Sequence, residues 1–203
     1  NGTYTTDILT MDLNNGNVGF GESSPSAKLH IKTSNVTNTN QFLLESTDAG
    51  ASSAPDLALY RNSASPADDD VLGALWFYGN NDASTQELYS GIISVASDVS
   101  DGTEDSEIRF LNMVNGTLDT RMTIDGTNVG IGDSNPADKL EINGLTTYPH
   151  IRLTSSSNTS RYMRIGMTDA TTHTIEANGS SAFLQFVTGG SESARILSGG
   201  DVC

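Results

Sequence analysis

Along most of the chain apolar residues alternate with polar ones, the two-residue period of strands that bury one face. The alternation runs through Leu9-Thr10-Met11-Asp12-Leu13, Leu29-His30-Ile31, Leu57-Ala58-Leu59 and Ile108-Arg109-Phe110. It returns in Met122-Thr123-Ile124, Leu140-Glu141-Ile142, Ile151-Arg152-Leu153 and Met163-Arg164-Ile165. Two denser apolar runs, residues 71–78 and 91–96, predict strands covered on both faces. Turn formers separate these segments: Asn14-Asn15-Gly16, Gly79-Asn80-Asn81-Asp82, Asp101-Gly102, Asn115-Gly116, Asn178-Gly179 and Gly189-Gly190. No stretch of a dozen residues carries a helical period with caps, so the pattern predicts an all-β chain.

One strand-turn-strand stretch occurs twice, as NVGFGESSPSAKLHI over residues 17–31 and NVGIGDSNPADKLEI over residues 128–142. Most other differences are mild, Phe20 standing for Ile131 and Glu22 for Asp133. Upstream, Met11-Asp12-Leu13-Asn14 aligns without gaps to Met122-Thr123-Ile124-Asp125. The stretch 194–202, ARILSGGDV, resembles the approach to a third copy. Self-similarity of this kind marks a repeated architecture. The chain then divides into the end of a preceding β unit (1–16), a first motif (17–33), a larger β insert (34–127), a second motif (128–144) and a shorter β insert running into a truncated repeat (145–203). The opening and closing fragments of units suggest a segment of a longer array.

Within each copy, Gly19 and Gly21, like Gly130 and Gly132, permit backbone conformations or close chain approach that a Cβ forbids. Pro25 and Pro136 fix φ and bias the preceding residue toward extended backbone, turning a corner. Val18, Phe20, Leu29 and Ile31, with their counterparts Val129, Ile131, Leu140 and Ile142, are too few to make a core alone. Three copies around an axis could enclose them, so the expectation is an intertwined homotrimer. Lys28 and Lys139 are expected to pair across chains with Glu22 and Asp133, a surface contact of only about 0–1 kcal/mol.

Composition fits a fibre better than a thick globular core, with 35% apolar and 6% aromatic residues and a net charge of −15. Low hydropathy with high charge is also the mark of disorder, but the regular strand pattern argues against that here. Only 10 basic residues, scattered singly, offer no stripe for phosphates, which speaks against nucleic acid and anionic membrane as partners. No apolar run approaches the length of a membrane helix. The single cysteine, Cys203, excludes an intrachain disulfide, and no Cys/His cluster has zinc-site spacing.

At the residues of the repeat the sequence resembles bacteriophage tail-fibre and related receptor-binding fibre proteins, in which stretches such as Gly-Asn-Val-Gly-Ile-Gly-x-x-x-Pro-x-x-Lys-Leu punctuate an elongated trimer. Residues 16–29 match with Phe20 in place of isoleucine, and residues 127–140 match with Thr127 in place of the first glycine. An Arg-Met-Thr-Ile strand enters the second copy at Arg121. The resemblance implies an elongated trimeric fibre on the virion surface, its partners being itself, other fibre or tail proteins and host surface polysaccharide. A bacterial extracellular filament or adhesin is the alternative, and a polysaccharide depolymerase a more distant one.

The acidic stretch 98–105 invites calcium but lacks the spacing of the twelve-residue loop, so a solvated hairpin turn is favoured and no metal is expected. Asp68-Asp69-Asp70 is read the same way. Trp76, Tyr78 and Tyr89 flank a turn and could stack on sugar rings, although the core of the insert is the favoured place for them. His30, between Leu29 and Ile31, reads as a solvent-facing strand residue; His150 and His173 belong to no ligand spacing. Cys203 has no base near it in sequence. Neither an enzyme nor a cofactor is expected.

Overall fold

A computed structural model describes residues 9–34, 40–52, 54–143, 150–155, 158–167, 173–178, 184–188 and 191–196. The described residues contain fourteen strands and no helix, in agreement with the alternating pattern. The chain falls into two compact units, Asn1–Ala58 and Leu59–Cys203.

The first unit holds a three-stranded sheet of β1 (Leu9–Asp12), β2 (Asn17–Phe20) and β3 (Leu29–Ile31), in that order. The second holds a six-stranded sheet in sequence order: β4 (Asp70–Asn80), β5 (Gln86–Asp98), β6 (Asp105–Val114), β7 (Thr117–Asp125), β8 (Asn128–Ile131) and β9 (Leu140–Ile142). A further sheet comprises β10 (His150–Ser155), β11 (Asn158–Met167) and β12 (His173–Asn178), and β13 (Leu184–Thr188) pairs with β14 (Ser191–Ile196). All pairings are antiparallel except β2 with β3 and β8 with β9, which are parallel.

Local chemistry sets the hairpins. Asn115 and Gly116 both adopt positive φ, 51° and 77°, as a tight turn matching the strand twist between β6 and β7 requires. Between β5 and β6 the acidic stretch closes on itself: Asp98 accepts the Ser100 amide at 2.7 Å and Glu104 the Gly102 amide at 3.1 Å. The Ser100 contacts hold the Asp98 carboxyl below its usual range. Two of the three aspartates at the start of β4 are likewise engaged. Asp68 accepts the Val99 amide at 3.0 Å, and Asp70 pairs with Arg61 at 2.8 Å.

Register places two mostly apolar rows of the six-stranded sheet side by side on one face. One row crosses all six strands as Leu75, Ile92, Phe110, Met122, Ile131 and Ile142, and the next as Gly73, Ser94, Ile108, Ile124, Val129 and Leu140. The intervening row on the other face reads Ala74, Ile93, Arg109, Thr123, Gly130 and Glu141. Among the described residues only Val95 and Ala96 are buried hydrophobics, so the sheet encloses almost no core of its own. Near them on β6 the largely buried Glu107 accepts the Arg109 guanidinium at 2.6 Å, a contact that raises the arginine's pKa further.

Several expectations need correction. Residues 57–59 form no strand; the Leu59 side chain instead lies over Gly73, beside a hollow of about 240 Å³. The run 71–78 is a strand, but as the edge strand β4 it is mostly exposed rather than covered on both faces. Trp76, Tyr78 and Tyr89 do not make a core within this chain, being 40%, 56% and 41% exposed. Each motif shares a sheet with the strand before it: β1 pairs with β2 and β7 with β8. The end of the third, partial repeat, 197–203 with Cys203, lies outside the described residues, as do Gly179, Gly189 and Gly190.

Candidate functional site: the repeated sheet motif

The two sequence copies fold alike. In each, an entering strand pairs antiparallel with the Asn-Val-Gly strand, the chain turns a corner, and the Leu-x-Ile strand returns parallel to it. Val18 lies opposite Leu29 and Phe20 opposite Ile31; Val129 lies opposite Leu140 and Ile131 opposite Ile142. The parallel return is unusual for so short a connection, since parallel pairs normally need a crossover of a dozen or more residues. Here the corner is held by a set of bonds that recurs in both copies.

Val18 donates its amide to the Lys28 carbonyl at 2.9 Å, and Val129 to that of Lys139 at 3.1 Å. Lys32 donates to the Phe20 carbonyl and Asn143 to that of Ile131, both at 2.9 Å. The side-chain amides of Asn17 and Asn128 each donate to a proline carbonyl, Pro25 and Pro136, at 2.9 Å. Those prolines are buried, as are Gly19 and Gly130. A Cβ on Gly19 would strike the carbonyl oxygen of Glu22, and one on Gly130 that of Asp133, so the corner folds directly onto the glycine. Gly21 and Gly132 have φ of 68° and 72°, and a Cβ there would strike the carbonyls of Lys32 and Asn143. The Gly-x-Gly pair is thus fixed twice, by space at the first glycine and by space and conformation at the second.

Acidic side chains finish the corner. Glu22 accepts the Ser24 amide at 2.9 Å and Asp133 the Asn135 amide at 2.8 Å. Glu22 is also bonded by Lys32 at 2.5 Å, and Asp133 by the Asn143 side chain at 2.9 Å. Lys28 reaches the Asn15 carbonyl and Lys139 the Thr127 hydroxyl. Within the chain, then, the acidic residue and the lysine of each copy take partners other than one another. His30 and Glu141 differ in type but make the equivalent bond, accepting the amides of Ser26 and Ala137 at 3.4 and 2.8 Å.

The register also changes how the copies align upstream. Thr10 pairs with Gly19 as Thr123 pairs with Gly130, so Leu9-Thr10-Met11-Asp12 corresponds to Met122-Thr123-Ile124-Asp125. The gapless alignment of Met11 with Met122 is two positions off because the first hairpin has four residues in its loop and the second has two. In the corrected frame threonine matches threonine and aspartate matches aspartate. Both threonine hydroxyls are buried without a protein partner, and Thr123 is fully enclosed.

Each copy therefore has a closed face and an open one. On the open face of the first copy stand Leu9, Met11, Val18, Phe20, Leu29 and Ile31, of which Leu9, Met11, Phe20 and Leu29 are 44–64% exposed. On that of the second stand Met122, Ile124, Val129, Ile131, Leu140 and Ile142, with Ile131 and Leu140 at 43% and 55%. None of the twelve is buried. The remaining candidates, Trp76, Tyr78 and Tyr89, lie at the far hairpin of β4 and β5. The Trp76 ring lies over Gly91, 2.5 Å from where a Cβ would stand, and the Tyr89 ring over Gly79 at 3.1 Å. Among the described residues no group of three or more His, Cys, Asp or Glu is placed to hold a metal.

The corner carboxylates make the motif sensitive to acid. Lys32 first, then the Ser24 amide, hold Glu22 below its ordinary 4.5; Asn143, then the Asn135 amide, hold Asp133 below its ordinary 3.8. A carboxyl whose folded value is lowered stabilises the fold above its unfolded pKa, and this is lost as the pH falls through the folded one. The thermal midpoint is expected to be flat from neutral pH down to about 5 and to fall below about 4. A Glu22→Gln, Asp133→Asn double variant should show a shallower fall in melts run across the same pH series.

Comparison with protein-family models and with curated proteins gives no match for this chain.

Proposed function

We propose that the chain is a structural and adhesive segment of a virion fibre of the phage tail-fibre kind, an elongated homotrimer that holds host-contacting surfaces away from the particle. The observation that carries the reading is the open apolar face of both motif copies. A corner so fully bonded on one side, with six apolar side chains left unburied on the other, is suited to be one half of an interface. The resemblance of the repeat to fibre proteins supports the same reading, as does the acidic surface, which keeps such a particle dispersed. The work assigned is mechanical and requires no catalysis: interchain packing spread over many short strands must be disrupted together, which makes dissociation slow. Light scattering on the purified chain is expected to give three times the 21.4 kDa of one copy, with a band that survives detergent until boiled. A monomer would overturn the proposal.

A further inference from the structure

The open face does not stop at the motif. Its two rows continue without a break from β9 to β4, across the whole insert, and ten of their twelve positions are apolar, the others being glycine and serine. No charged residue interrupts them, whereas the opposite face carries the Glu107–Arg109 pair and Glu141. None of the ten apolar side chains is buried, and Leu75, Ile108, Ile131 and Leu140 are 39–55% exposed.

We infer that these two rows of the six-stranded sheet, insert as well as motif, are the surface against which further copies of the same chain pack, beside the Leu59 side chain that already lies over Gly73 and with the Arg109 side turned away. The inference rests on the fibre reading and adds to it: the insert lines the shared interior and is not a decoration hung outside it. A second copy is the occupant that fits. The ten apolar side chains span all six strands, a breadth suited to an interface with another copy. The same two-row pattern, with a Thr-Gly-polar row behind it, recurs in the first motif, as expected of repeated units meeting their own copies. A chain with net charge −15 would meet another copy of itself across a charged surface only at a penalty, and these two rows carry no charge.

The test compares maleimide labelling of two single cysteines in a Cys203→Ser background. Ile108→Cys lies on the apolar face and Val71→Cys on the opposite one, at sites 39% and 45% exposed in one chain, so an isolated copy labels both at similar rates. In the assembled protein Ile108→Cys is expected to label at least tenfold more slowly than Val71→Cys. Leu75→Cys, at a site 46% exposed, gives the same reading should Ile108→Cys fail to fold. A trimer in which the apolar-face cysteine labels as fast as Val71→Cys overturns the face assignment and leaves the fibre reading standing. A monomer overturns both, whether or not Ile108→Cys is protected.

Discussion

Gly132→Ala is expected to unfold the second motif, lowering stability by roughly 3–5 kcal/mol, while Gly102→Ala costs only about 1–2 kcal/mol. The comparison separates two effects. Both glycines have positive φ, 72° and 88°, so both substitutions carry the left-handed penalty of an L residue. At Gly102 nothing lies within 4 Å of the new methyl. At Gly132 the methyl would overlap the carbonyl oxygen of Asn143, and that residue's amide is bonded to Ile131. Relief requires β9 to move away from β8, which breaks the parallel pairing and frees the corner. Thermal melts at one fixed protein concentration check this, since the proposed assembly would make the midpoint concentration-dependent. Equal losses from the two variants would mean that the corner has room to yield.

That glycine shows how the sequence carried the motif. The repeat, the Gly-x-Gly pair and the proline corner were legible because each is a local demand on the backbone, and local demands leave fixed residue types at fixed spacing. The alternation of Leu29-His30-Ile31 and Leu140-Glu141-Ile142 likewise gave the face of each side chain. What could not be read was pairing between segments. Nothing in the alternation says that β3 returns parallel, or that β7 and β8 join the insert and motif into one sheet. The Asn17 and Asn128 bonds to Pro25 and Pro136 were signalled only by the same asparagine at the head of both copies. The upstream alignment went astray because loop length is free: Leu13, aligned as a strand residue, stands 87% exposed in the longer turn. Residues 71–78 failed for a different reason. A dense apolar run reads as buried from either side, yet β4 is an edge, and its Leu75, Trp76, Phe77 and Tyr78 are all at least 40% exposed. Apolar character announces that a face will be covered; it does not say by which chain.

The sharpest consequence of that distinction lies at Ile131. In one chain the residue is 43% exposed, so Ile131→Asp in an isolated copy leaves the carboxylate in reach of water and disturbs the fold little. Should the face be enclosed by other copies, the same carboxylate is drawn out of water with no cation in its row to meet it, at a cost of several kcal/mol. The cost is incurred in every copy, and three carboxylates near one axis repel each other as well. Ile131→Asp is therefore expected to shift the assembly to monomers at micromolar concentration, with far-ultraviolet circular dichroism retained, whereas Ile131→Leu, which conserves volume and polarity, keeps the trimer mass. Light scattering reads both variants. A trimer unaffected by Ile131→Asp would mean that the motif's open face looks outward, and the packing of copies would then have to be sought on the side that carries Arg109 and Glu141.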